Sequence, residues 1–139
     1  MVRIDATYEG DLHTVCRHGP SGAELATDAP VDNEGRGAAF SPTDLLATAL
    51  GSCMLTVMGI LARRRGWAME GASVAVEKHM ATEPVRRVGR VVLRFEMPAG
   101  IPGEARKPLE RAAHTCPVHK SLHPDIEVDV AFAWASPAR

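Results

Sequence analysis

Aromatic side chains are scarce in this chain: two tryptophans, one tyrosine and three phenylalanines make up 4% of 139 residues. Without a row of rings to stack on, single-stranded bases are a poor candidate ligand. Neither sign of charge dominates, because 16 basic and 17 acidic side chains leave a net charge of −1, so no polyanion partner is implied and no nucleic acid is expected. Cysteine is limited to Cys16, Cys53 and Cys116. A low, odd count argues against a secreted disulfide framework and suits a reducing compartment. The first residues, MVRIDATYEGDLH, alternate polar and apolar and lack an apolar h-region, so no signal peptide is expected and the location expected is cytoplasmic. Internal repeats, low-complexity tracts, a Gly-rich phosphate loop and a Gly-x-Ser-x-Gly elbow are all missing. Any chemistry must therefore rest on a few individual side chains.

What is present suits a single globular domain over 1–139, with 45% hydrophobic and 24% charged residues, long enough to build a core without covalent staples. The segment Leu45–Ala62 carries no charge at all, between Asp44 and Arg63-Arg64-Arg65. Its length is at the lower limit for a membrane span, but Thr48, Gly51, Ser52, Cys53, Thr56 and Gly59 dilute it. A buried core helix is expected instead, and no membrane. Ser41 is a suitable N-cap, Pro42 fits the first turn, Asp44 stands where a capping-box acid belongs and Gly66 suits the residue after the end. The helix is predicted over 41–65.

Around it the alternation of apolar residues predicts strands at 2–8 and 11–17, turning at Glu9-Gly10, and a third at 23–28. Residues 30–39 read as a loop. Further strands are predicted at 71–80, 88–97 and 126–134. A second helix starts at Pro102-Gly103-Glu104, carries Ala105, Leu109 and Ala112 on one face, and is closed by Cys116 before Pro117. The order β-β-β-α-β-β-α-β implies an α+β fold with mostly antiparallel pairing. The central helix is apolar all round, and one sheet covers only one side of a helix. A homodimer that shares two such buried helices is the economical expectation.

Two thiols invite a chemical reading. Cys53 falls on a helical stripe with Leu46, Ala49, Leu50, Val57 and Ile60, where a free cysteine is ordinarily a small hydrophobe. Cys116 has His114, His119, Lys120 and His123 close by, cations that favour a thiolate, while a helix C-terminus disfavours one. Cys116-x-x-His119 with His114 and His123 suggests zinc, but no second ligand pair completes a known spacing, and no metal is expected. Arg86, Arg87, Arg90 and Arg94, like Asp125, Glu127 and Asp129, read as solvated strand faces. Cys16 reads as a packed strand residue.

SPTDLLATALGSCMLTVMGILARRRG, which carries Cys53, together with the downstream AHTCPVHKSL, which carries Cys116, closely resembles the OsmC/Ohr family, the osmotically inducible and organic hydroperoxide resistance proteins. The two motifs and their separation agree with the family jointly. The likeness spans nearly the whole chain and lies nearer the OsmC-like branch. It implies an intertwined homodimer holding the long helices between curved sheets. It also implies a thiol-dependent peroxidase for organic or hydrogen peroxide, in which Cys53 attacks and Cys116 resolves. The resemblance implies no bound cofactor but an external thiol or dithiol reductant, such as a lipoylated protein. It implies an arginine near the thiolate, best matched by Arg36 in GRGAAFSP, oriented by an acid for which Asp44 is available. Thr43 stands where the peroxidases carry glutamate, and capping is the plain alternative for Asp44. A different reading is a non-catalytic dimer that binds a hydrophobic or acyl ligand along Met54, Met58 and Leu61. A third is a structural protein with incidental cysteines.

Overall fold

The computed structural model describes residues 1–136. The chain divides into two compact units, Met1–Leu46 and the residues from Ala47 onward.

The first unit is an antiparallel meander of β1 (Ile4–Gly10), β2 (His13–His18) and β3 (Glu24–Asp28), in the order β1-β2-β3. Its hairpin turns at Asp11-Leu12, just beyond the predicted Glu9-Gly10. Both turn residues have positive φ, 52° and 60°, which matches the twist of a tight hairpin. Gly10 instead sits where the register shifts after Tyr8. The glycine signal thus marked a bulge and not the loop. By register, Ile4, Ala6 and Tyr8 share one sheet face with Thr14, Cys16, Leu25 and Thr27. On the other face His13 Nδ1 meets the buried Asp28 Oδ1 at 2.6 Å.

Helix α1 (Pro42–Arg65) starts and stops as its sequence demands. Ser41 Oγ accepts the Asp44 N–H at 3.0 Å, and Asp44 Oδ2 accepts the Ser41 N–H at 2.9 Å, a reciprocal capping box. At the far end the Gly66 N–H bonds Arg63 O and the Trp67 N–H bonds Ala62 O. Gly66 has φ 72°. This is a Schellman closure, whose left-handed residue glycine adopts without steric cost.

The second unit holds β4 (Ser73–Ala81), β5 (Arg87–Met97) and β6 (Glu127–Trp134) in the order β4-β5-β6. β4 and β5 are antiparallel, whereas β5 and β6 are parallel. Parallel neighbours need a long crossover, and it contains α2 (Arg106–Ala113) and α3 (Pro117–Ser121). Trp134 Nε1 donates to Glu110 at 2.8 Å, tying the end of β6 to α2. Leu50, Met54, Met58 and Ala62 of α1 form one core with Val91, Leu93, Phe95, Met97, Leu109, Ala113 and Cys116. Gly51 lets α1 approach β4, since a Cβ there would meet Val76 Cγ2 at 2.8 Å. The opposite face of α1 is open in the single chain, with Leu46 37% and Ile60 39% exposed. All-round burial of the helix is thus met on one side only.

The charged residues of β5 and β6 stay in contact with solvent, as expected, and in addition pair with one another. Asp129 Oδ2 lies 2.7 Å from Arg90 Nη2 and 3.2 Å from Arg94 Nη2, and Glu127 lies 3.6 Å from Arg90 Nε. The Arg94 and Arg90 guanidiniums hold the Asp129 carboxyl below the usual range.

Candidate active site

Cys53 occupies the seam of α1, between the buried stripe of Leu50 and the open stripe of Ala49 and Ile60. Its side chain is half-buried and packs on the core. Cys116 is fully buried. Both are free thiols, and the two face each other closely enough that Cys53 acts directly on the ionisation of Cys116. The long stretch of sequence between them is closed up by the fold, in which α1, α2 and Cys116 share one core.

Cys116 does not close the preceding helix. That helix ends at Ala113, and Cys116, with φ −58° and ψ 133°, is the N-cap of α3 with Pro117 in the first turn. Proline suits that position, where no N–H is required. Cys116 Sγ accepts the His119 N–H at 3.2 Å, as a serine cap oxygen would. The negative helix end expected beside this thiol is thus replaced by backbone N–H donors.

Burial nevertheless dominates and pushes the Cys116 thiol above its ordinary value. The bond from the His119 N–H opposes this, contact with Cys53 adds to it, and the Val118 N–H weakly opposes it. Cys116 consequently ionises less readily than an ordinary thiol, with Cys53 close enough to contribute. Cys53 is partly buried and Cys116 fully so, an arrangement suited to stepwise oxidation followed by closure.

The remaining sequence candidates lie as follows. Arg36 is exposed in the first unit and donates from Nη2 to Asp11 Oδ2 at 2.9 Å. Asp11 left no trace in the sequence, because a pairing between two distant loops has no local pattern. Asp44 is engaged in the capping box, and Ser41 Oγ also meets Thr43 Oγ1 at 3.2 Å. Cys16 is half-buried on β2, its sulfur 3.9 Å from Thr14 Oγ1. Met54 and Met58 are fully buried core residues, and Leu61 packs partly buried against the same core. A cavity of about 550 Å³ lies instead beside Thr48, Ser52, Leu55, Thr56, Val74 and Val76. Among the described residues no group of three or more His, Cys, Asp or Glu is placed to hold a metal ion.

The family described as OsmC-like protein matches residues 35–131. A solved Psychrobacter arcticus 273-4 protein, named for osmotic stress induction and a detoxification response, is 47% identical. Each chain is covered to 96%, with a TM-score of 0.90. An organic hydroperoxide resistance protein from Legionella pneumophila is 18% identical, with 96% of each chain covered and a TM-score of 0.75. A Vibrio cholerae protein named for organic hydroperoxide resistance, with captopril in one of its active sites, is 22% identical. There 94% of this chain and 90% of that one are covered, with a TM-score of 0.73. The latter two likenesses carry the fold alone. No curated protein matches the chain.

Proposed function

The chain belongs to the OsmC-like protein family, and on that footing we propose that it is a thiol-dependent peroxidase for organic hydroperoxides or hydrogen peroxide. The observation that carries the proposal is the pair of facing free thiols, one half-exposed on α1 and one sealed at the cap of α3. Membership of a family that includes organic hydroperoxide resistance proteins supports a peroxide-related role.

In the proposed cycle the Cys53 thiolate attacks the terminal oxygen of ROOH. The O–O bond breaks, the departing alkoxide takes up a proton as alcohol, and Cys53 becomes a sulfenic acid. Cys116 then attacks that sulfur. The S–S bond forms, and the sulfenic hydroxyl leaves as water with the thiol proton. An external dithiol, such as a lipoyl group, restores both thiols by exchange and is itself oxidised. Burial of Cys116 supports this division of labour, because a sealed thiol meets the oxidised partner and not bulk peroxide.

Arg36 enters the cycle from the family resemblance, as the cation that steadies the thiolate. We further propose that the working form is a homodimer in a reducing, cytoplasmic setting. The open face of α1 and the apolar face of the first sheet support that assembly.

One equivalent of cumene hydroperoxide on the reduced protein tests the cycle. Loss of two thiols per chain and a mass change of about −2 Da are expected. Retention of all thiols would remove the proposal. The cavity beside Leu55 and Val74 favours a second reading, a carrier of a hydrophobic or acyl ligand. That reading predicts thermal stabilisation by fatty acyl compounds without thiol loss.

A further inference from the structure

His119 is coupled to the resolving sulfur through its own backbone, since its N–H is the donor to Cys116 Sγ. Its ring turns back to the end of α2. There it lies beside the His114 ring, with centroids 6.1 Å apart. Ring atom Nδ1 is shut off from solvent and meets no hydrogen-bond partner among the described residues. A neutral imidazole can leave one nitrogen as an idle acceptor at modest cost. An imidazolium has two N–H donors, and one of them would be stranded here.

The surroundings also oppose a positive charge. Burial acts most strongly, His114 at the end of α2 and Lys120 on α3 add repulsion, and only the His114 backbone pulls the other way. The ring is held below its ordinary imidazole value. Through its backbone N–H the same residue holds the Cys116 thiol, whose ionisation Cys53 on α1 also affects.

We propose that His119 is a positioning residue for the resolving step: its neutral ring clamps α3 onto the end of α2 and aims Cys116 at Cys53, and protonation releases the clamp. The proposal rests on the assignment of Cys116 as the resolving thiol. Its sign follows from linkage. The unfolded or released turn binds a proton more readily than the clamped one, so release is favoured as pH falls.

The clamp predicts a curved pH profile. Attack by Cys116 requires its thiolate, so the rate already falls about tenfold per pH unit below that thiol's pKa. Loss of the clamp adds a second factor of about tenfold per unit once the ring protonates, at or below about pH 6.5. The logarithm of the resolving rate should therefore change slope from about one to about two.

Stopped-flow reaction of the reduced Cys16→Ser protein with dithiobis(nitrobenzoate) separates the steps without peroxide. The first thionitrobenzoate released reports attack by Cys53. The second reports its displacement from the mixed disulfide by Cys116. The break to a steeper slope is expected in the second phase and not in the first. His119→Gln should keep a slope of about one throughout the acid range. His114→Gln removes a repulsive neighbour, eases protonation of His119 and should move the break to higher pH, which also decides the matter should His119→Gln not fold.

A parent slope that stays single down to about pH 5 would overturn the clamp, as would a break that survives His119→Gln or a shift of the opposite sign in His114→Gln. Release of both equivalents with the break, by a protein that consumes no hydroperoxide, would sink the peroxidase and leave the clamp standing. Release of only one equivalent would remove both.

Discussion

The sheet of β1–β3 and the sheet of β4–β6 are each three-stranded, but only the second has a core beneath it. Leu93, Phe95, Leu50, Met54 and Leu109 are completely enclosed in the second unit. In the first, Ile4 and Tyr8 are each 64% exposed and Leu25 47%, and the enclosed residues are the polar Thr27 and Asp28 with Ser41. The second unit therefore encloses a core within the chain, although one face of its helix stays open. The other presents an apolar sheet face whose residues gain from burial only when something covers it. On the proposed reading the second unit carries both cysteines, while the first supplies Arg36 and, together with the open face of α1, a surface for assembly.

The sharpest way to break that division is at the sulfurs. Cys53→Ser should reduce hydroperoxide consumption to background in a thiol-coupled assay. Cys116→Ser should leave a sulfenic acid at Cys53, visible by mass as one added oxygen. If Cys53→Ser consumes peroxide at the parent rate, the nucleophile has been misassigned.

Truncations in the two sheets come next. Met54→Ala or Leu109→Ala should cost about 2–5 kcal/mol in denaturant unfolding, because each leaves a hole in a sealed core. Leu25→Ala should cost less than about 0.5 kcal/mol where its side chain stays in water. Should a second copy cover that face, its cost grows, depends on protein concentration and accompanies dissociation in sedimentation. Tyr8→Glu with Leu25→Glu should then yield monomers, while a lone chain would be indifferent.

Gly51→Ala should cost about 1–3 kcal/mol by overpacking against Val76, despite the gain in helix propensity. The Ala variant's Tm would distinguish close packing from an incidental glycine. Asp44→Ala should cost about 1 kcal/mol through loss of the capping box, with little effect on peroxide consumption if capping is its whole contribution.

The smallest effect is on pH dependence. The Cys116 pKa is raised by folding, so its contribution to stability is complete below the unfolded thiol's value and is lost as pH rises through the folded one. His119 is shifted downward, so its penalty develops as pH falls below about 6.5. Cys116→Ala and His119→Gln should flatten the alkaline and the acid limbs of the stability curve respectively.

Local signals were legible wherever the deciding contact lies between near neighbours in the chain. Ser41, Pro42 and Asp44 placed the start of α1, and Gly66 its end, because caps join groups within about one helical turn of each other. The alternation in 126–134 revealed a strand, found at Glu127–Trp134, for the same reason. The hairpin slipped along the chain because Gly10 serves equally well in a bulge or a turn, and only pairing with β2 decides between them. Cys116 was assigned to the wrong helix because the face of Leu109 and Ala112 extrapolates to it. The Cys-Pro pair, read as N-cap and first helical residue, is the signal that identifies a new helix there.

Amino-acid order alone thus settled the α+β class, the long central helix and the two cysteines worth examining, all of which follow from periodicity, capping chemistry and family motifs. Tertiary structure decided what no local pattern encodes. It paired β6 parallel to β5, joined Asp129 to Arg90 and Arg94, and turned one face of α1 into the core while the other stayed open. It also brought the buried Cys116 thiol against the half-exposed Cys53, although a hairpin and a helix separate them in the chain. The physical reason is range: hydrogen bonds between near neighbours are written in adjacent letters, whereas burial and the meeting of remote groups exist only after the chain has closed around its core.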